Sequence, residues 1–119
     1  MVKSPGLVKE IVKILDDHKA VDIVTIDLRK IENSFSSFFV ICSGTSNTHV
    51  STLAEAVEDD VRENLKEKPY HTEGKNVGQW VIIDYSDVIV HIFQQEQRDF
   101  YKLEDFWGNG IKKEIKEKV

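Results

Sequence analysis

Residues 80–93, WVIIDYSDVIVHIF, alternate in a way that predicts a β-hairpin with a tight turn at Ser86 and Asp87. Residues that face each other across such a hairpin share one surface of the sheet, and successive residues point to opposite surfaces. The predicted pairs are Tyr85 with Val88, Asp84 with Ile89, Ile83 with Val90, Ile82 with His91, Val81 with Ile92 and Trp80 with Phe93.

These pairs sort into two chemically different faces. The aliphatic face comprises Val81, Ile83, Tyr85, Val88, Val90 and Ile92, and the mixed face comprises Trp80, Ile82, Asp84, Ile89, His91 and Phe93. An aliphatic sheet surface requires cover, so we expect a helix to pack on it. Two large aromatic rings, a carboxylate and an imidazole on one surface favour a recognition patch over a filled core.

The rest of the chain predicts three further strands and two main helices. A first helix is expected to begin at Ser4 and Pro5 and to end near His18, followed by a strand at 21–28 and a connection at 29–36. The unbroken apolar run FFVIC at 38–42 is typical of a central strand covered on both sides. A second helix is predicted from an apolar stripe that comprises Val50, Leu53, Ala54, Val57, Val61 and Leu65.

The remaining segments are shorter. Residues 69–71 predict a short edge strand, and EGKNVGQ predicts a loop before the hairpin. The run QQEQRDFYKLEDFWG after Phe93 predicts one or two short helices that end at Gly108 or Gly110. This order predicts a single α/β (α+β) domain over residues 1–119, with a core at about 5–107 and a tail at 108–119. Its mixed sheet of about five strands would be flanked by helices.

Composition narrows the functional classes. The chain has 119 residues, 40% hydrophobic and 31% charged, with a formal net charge of −5. An acidic chain of this kind is unsuited to binding that depends on neutralising nucleic-acid phosphates. The only dense basic group, Lys112, Lys113, Lys116 and Lys118, alternates with glutamates and favours a solvated helix end. A single cysteine, Cys42, and the lack of a long apolar run predict a cytoplasmic protein.

Candidate catalytic groups do not form a convincing constellation. A strand, a turn containing Gly and Ser, and a helix are how nucleotidyltransferases open their site, but that chemistry also requires paired carboxylates for magnesium. Asp84 stands alone on its strand. A nucleophilic site built from Cys42, Ser43, His49, His91 and Asp84 is not required by any spacing, and the four histidines lack metal-ligand spacing. We therefore predict no catalytic residues, no cofactor and no metal, and read SGTSNT as a helix cap.

An alternative for the aromatic residues of the mixed face is structural. Trp80 and Phe93 could pack with Phe100, Tyr101, Phe106 and Trp107 into a second small core beneath the C-terminal helix. That alternative explains Phe93, Phe100 and Phe106 well. It explains Asp84 and His91 less well, because polar groups on a covered surface need hydrogen-bond partners.

The segments FFVICSGTSNTHV, GQWVIIDYSDVIVHIF and EQRDFYKLEDFW together closely resemble the ribosomal silencing factor family, also called Iojap-like proteins. The resemblance extends from the first helix to Trp107. It implies a nucleotidyltransferase-like fold without the catalytic carboxylates. It also implies binding to the fourteenth protein of the large ribosomal subunit, which sterically prevents the small subunit from joining and lowers translation when nutrients are scarce.

By position, the resemblance places the family's motif residues on Trp80, Asp84, His91, Arg98, Tyr101 and Glu104, which we expect to bind the partner. Two positions depart from the pattern: Ser86 replaces a turn glycine, and Ser37 replaces an aspartate before the central strand. Serine is less favourable than glycine in a type I′ or II′ turn, so the turn could be looser than two residues. A change of loop length by an odd number of residues would reverse the two faces.

These observations predict a translational repressor that is not an enzyme. Trp80 and Tyr101 would be apolar anchors, with Asp84, His91 and Glu104 as polar specifiers. Two alternatives remain open: an assembly factor for the large subunit, and a residual nucleotide-binding enzyme that uses SGTSNT and Asp84. No membrane partner is expected. An exposed aromatic surface also makes a homodimer a candidate assembly.

Overall fold

The structure is a computed structural model that describes residues 4–30 and 37–102, and the backbone of residues 111–114. The described elements are α1 (Ser4–Asp17), β1 (Val21–Asp27), β2 (Phe38–Gly44), α2 (Asn47–Leu65), β3 (His71–Glu73), β4 (Trp80–Asp84), β5 (Val88–Gln94), α3 (Gln95–Tyr101) and β6 (Ile111–Glu114). The strands form one sheet in the order β3-β4-β5-β2-β1-β6.

The sheet is mixed, as predicted. Strands β2 and β5 are parallel, and the other neighbouring pairs are antiparallel. Every residue of β2 is buried, which confirms the apolar run at 38–42 as the central strand. The fold is therefore the expected α+β sandwich of helices on a mixed sheet.

Helices α1 and α2 cover the aliphatic face, as predicted. The main core joins Leu7, Ile11, Ile14 and Leu15 of α1, the predicted stripe of α2, and all six residues of the aliphatic face. Helix α2 begins where the sequence indicated, because the Ser46 side chain accepts a hydrogen bond from the N–H of His49. The SGTSNT segment is thus a helix cap.

The hairpin has the predicted register. Trp80 pairs with Phe93, Ile82 with His91, and Asp84 with Ile89. At the turn, Ser86 has a φ of 74°, and the N–H of Asp87 donates to the carbonyl of Tyr85 at 3.0 Å. This i to i+2 bond closes a γ-turn, which the Asp84 carboxylate braces by accepting from the Ser86 N–H at 2.6 Å. Serine therefore strains the turn without changing the two faces.

The loop before β4 depends on glycine. Gly78 has a φ of +74°, and a Cβ there would lie 2.5 Å from the carbonyl oxygen of Asn47 in α2. A side chain would meet both a backbone penalty and a clash, so glycine lets the loop pack against the start of α2.

The C-terminal lysine run differs from its prediction. Residues Ile111–Glu114 do not end a helix; they form β6, which pairs antiparallel with Val24–Asp27 of β1. Without β6, the backbone N–H and C=O groups of β1 would line an open sheet edge. Strand β6 thus lies inside the segment expected to be a tail. Residues 103–110 and 115–119 lie outside the described residues, and with them the predicted helix end at Gly108 or Gly110.

Candidate docking surface

The mixed face occupies one end of the sheet, on the surface away from α1 and α2. The register aligns His71, Asp84 and Ile89 across three strands, and Glu73, Ile82 and His91 in a neighbouring row. Thr72, between the two rows on β3, points the other way, because its hydroxyl donates to Glu58 of α2 at 2.9 Å. The side chains of the mixed face therefore point away from α2.

Trp80 is held by three neighbours while part of its indole remains exposed. Its ring stacks on that of Phe93, with centroids 4.8 Å apart and planes 26° apart, and lies 4.8 Å from the ring of Tyr101. Its Nε1 donates to Nδ1 of His91 at 3.2 Å. An indole fixed by stacking and by a hydrogen bond would lose little rotamer freedom on binding, so its geometry suits the predicted role of an apolar anchor.

His91 lies on the predicted face but is buried, with 6% of its surface exposed. Its ring packs edge-on against Phe39 of the central strand, at 4.9 Å between centroids. Nδ1 accepts the Trp80 bond, so the neutral ring carries its proton on Nε2, which finds no hydrogen-bond partner in the described part of the chain. Burial lowers the pKa of His91 to about 4. His91 therefore orients Trp80, and the expected contact of His91 with a partner stays a prediction.

Arg98 is also buried, and its expected contact with the partner stays a prediction. Its Nη1 donates to the carbonyl of Asp22 at 2.7 Å and to Oγ of Ser43 at 3.0 Å. Asp22 has a φ of 50° where the pairing of β1 with β2 shifts register. An arginine that ties α3 to two strands in this way fixes the helix that carries Tyr101.

The remaining predicted site residues fall into two groups. Asp84 is half-buried and caps the turn, and Tyr101 keeps 52% of its surface exposed beside Trp80. Glu104 lies outside the described residues.

Sequence reasoning missed Tyr70, which is 79% exposed next to Asp84. A tyrosine that follows Pro69 just before an edge strand is the one signal that could have indicated it.

The second-core alternative describes part of this surface. Phe93 is fully buried in a cluster with Val24, Ile26, Leu28, Phe39 and Ile41, and Trp80 and Ile89 pack at its margin. Phe100, however, is 79% exposed, and Phe106 and Trp107 lie outside the described residues. The part of the mixed face next to β2 is thus buried in a small core, and the part next to β3 is open to solvent.

The candidate catalytic groups have structural roles. Burial raises the pKa of the Cys42 thiol to about 12, so little of the reactive thiolate forms near neutral pH. His49 bridges the helices: its Nδ1 accepts from the Thr45 N–H at 2.9 Å, and its Nε2 donates to the His18 carbonyl at 2.9 Å. Across residues 4–30 and 37–102, no cluster of three or more His, Cys, Asp or Glu residues could hold a metal. None of the described helices is both long and apolar enough to cross a bilayer.

Comparison with known proteins places the chain in a family. The family described as "Ribosomal silencing factor during starvation" matches residues 2–119. Ribosomal silencing factor RsfS of Bacillus subtilis is 36% identical over 107 residues, which cover 86% of this chain and 88% of that protein. A crystal structure from Chromobacterium violaceum is 31% identical and superposes with a TM-score of 0.85, over 90% of this chain and 88% of that one.

A more distant relative has a different name. Mouse "Mitochondrial assembly of ribosomal large subunit protein 1" is 29% identical over 82% of this chain, which spans 43% of the mouse protein's length. The chain belongs to the ribosomal silencing factor family, as the family resemblance predicted.

Proposed function

We propose that this protein represses translation by docking on the fourteenth protein of the large ribosomal subunit, where it sterically blocks the small subunit. The observation that carries the proposal is the partly exposed Trp80, pre-organised by Phe93, His91 and Tyr101 in a chain of the silencing-factor family. Aromatic anchors of this kind supply much of the binding energy of protein interfaces.

The charge around Trp80 supports a basic partner. Asp84 and Glu73 lie on the same surface as Trp80, and the whole chain carries a formal net charge of −5. Acidic groups around an apolar centre steer a basic protein surface into place and repel acidic ones. Occupancy of the joining surface suffices for repression, so the mechanism requires no catalytic step.

The experiment is a subunit-joining assay. Purified large subunits are incubated with increasing protein, small subunits are added, and the joined ribosomes are separated on a sucrose gradient. The proposal predicts a dose-dependent loss of joined ribosomes when the protein is added first. Unchanged joining at a saturating protein concentration, with the protein bound to the large subunit, would refute repression by occlusion.

Assembly of the large subunit is the second candidate, favoured by the name of the mouse relative. An assembly factor would bind through the same surface, but during formation of the large subunit and not after it. Cells depleted of the protein would then accumulate large-subunit precursors, while purified subunits would join normally in the presence of the protein.

A nucleotide-handling enzyme is the third candidate, and it predicts a different result. Nucleotide with magnesium should raise the melting temperature of an enzyme that binds it, because a ligand stabilises the folded state by mass action. We expect no such shift here, since SGTSNT serves as the cap of α2.

A further inference from the structure

A surface notch lies at the tip of the hairpin, on the mixed face and apart from Trp80. Four residues line it: Tyr70, Asp84, Ser86 and Ile89. The Tyr70 N–H donates to the Asp84 carbonyl at 2.8 Å, and Asp84 pairs with Ile89 across the hairpin. The notch is therefore built on backbone that two strand pairings hold in place.

The lining combines three kinds of group. Tyr70 exposes 79% of its surface, and Ile89 offers a half-buried aliphatic side chain. One carboxylate oxygen of Asp84 accepts from the Ser86 N–H at 2.6 Å, and the structure gives the other oxygen no bond within the described residues. An aromatic face attracts a cation, an aliphatic wall packs against methylene groups, and a carboxylate pairs with an ammonium or guanidinium group.

The charges nearby favour a cation over an anion. Asp87 follows in the turn, and Glu73 lies on the same surface and pairs with His71 at 2.8 Å. Lys68 is the nearest basic residue before Tyr70 in the sequence. An acidic side chain in the notch would be repelled by Asp84, and an apolar one would leave the second carboxylate oxygen of Asp84 covered without a hydrogen bond.

We propose that this notch receives a lysine or arginine side chain of the docking partner, whose identity rests on the proposed function. The stem would lie on Ile89, and the charged end would lie between the Tyr70 ring and Asp84. Asp84 is four residues from Trp80 on the same strand, which corresponds to about 13 Å. One partner surface can therefore fill the notch and cover Trp80 together.

The first test needs no ribosome. N-acetyl-arginine amide is titrated into the labelled protein and followed by ¹H–¹⁵N NMR, with N-acetyl-glutamate amide as the matched acidic probe. We expect the arginine probe alone to shift the amides of Tyr70, Asp84, Ser86 and Ile89, and Asp84→Asn to abolish those shifts. Equal shifts with both probes, or none at these amides, would overturn the proposal.

The second test measures binding to large subunits. Asp84→Asn keeps an oxygen for the Ser86 N–H but removes the charge, and Tyr70→Leu keeps apolar bulk but removes the ring. Each is expected to weaken binding about tenfold, and Asp84→Asn should also reduce its salt dependence. Glu63→Gln, on the exposed surface of α2, is the charge-matched control and should leave both unchanged.

The outcomes separate the two proposals. If the parent protein binds and both notch variants bind equally well, the notch proposal fails while the proposed function stands. If the parent protein does not bind the large subunit, the proposed function fails, and the titration with the arginine probe decides the notch alone.

Discussion

The indole Nε1 of Trp80 donates to Nδ1 of His91 at 3.2 Å, which links a partly exposed ring to a buried one on the neighbouring strand. The bond requires His91 to be neutral, because a protonated Nδ1 cannot accept. The orientation of the proposed anchor is therefore coupled to the protonation of a residue that solvent hardly reaches.

Acid is expected to destabilise the fold through His91. Burial lowers its pKa to about 4, from the ordinary value of 6.5, so the unfolded chain takes up a proton before the folded one does. The free energy of unfolding that depends on a neutral, buried His91 is fully present above pH 6.5 and is lost as the pH falls towards 4. At pH 5 the predicted loss is about 2 kcal/mol relative to pH 7.

Urea unfolding at pH 7 and pH 5 measures this loss. His91→Gln should flatten the difference between the two pH values, whereas His71→Gln should retain it, because His71 is an exposed edge-strand residue. An unchanged pH difference in His91→Gln would assign the acid sensitivity to other groups.

Trp80→Ala is expected to weaken binding to the large subunit by about 2 kcal/mol or more, since it removes a pre-organised aromatic anchor. The fold should remain intact, because Trp80 lies at the margin of its cluster. Co-sedimentation with large subunits measures binding, and circular dichroism checks the fold. Val77→Ala is the control, because Val77 is 61% exposed in the loop beside α2. Equal pelleting of parent and Trp80→Ala would disprove the anchor role.

Arg98→Ala is expected to lower the free energy of unfolding by about 2 to 4 kcal/mol, because the Asp22 carbonyl and the Ser43 hydroxyl lose a buried charged donor. The matched control is Arg62→Ala, which removes an exposed arginine bonded to Asp59 at 3.2 Å and should cost less than about 0.5 kcal/mol. Chemical denaturation measures both. Similar losses for the two variants would contradict the stabilising role of the buried hydrogen bonds that Arg98 donates to Asp22 and Ser43.

Ser86→Gly is expected to stabilise the protein by about 0.5 to 1 kcal/mol, because glycine adopts the positive φ of this turn without steric cost. The greater entropy that glycine gives the unfolded chain limits the gain. Asp87→Gly is the control, since Asp87 does not have a positive φ and should gain nothing. Thermal unfolding distinguishes the two, and a lower melting temperature for Ser86→Gly would contradict the strained-turn explanation.

Local patterns predicted the elements whose residues alternate or repeat over several positions. The register of the hairpin followed from alternation around Ser86 and Asp87, and the stripe of α2 followed from helical spacing. The exposure of each side chain on the mixed face was harder to predict, because it depends on which of them are covered by segments distant in sequence. His91 sits beside the central strand and is buried, although its sequence neighbourhood resembles that of the half-buried Asp84.

Long-range partners explain the other differences. Arg98 finds its acceptor at Asp22, 76 residues earlier in the chain, and no local pattern encodes that bond. Strand β6 likewise exists because β1 offers it an edge, whereas its own alternation of lysine and glutamate also suits a solvated helix. Both differences arise from tertiary contacts between segments far apart in sequence.

At the β6 edge of the sheet, Asp27 pairs with Ile111, so β1 gains its outer partner only from a segment much further along the chain. Contacts of such wide sequence separation form late and slow folding. A newly made copy therefore leaves this edge of β1 without its strand partner until residues 111–114 have emerged from the particle that makes it.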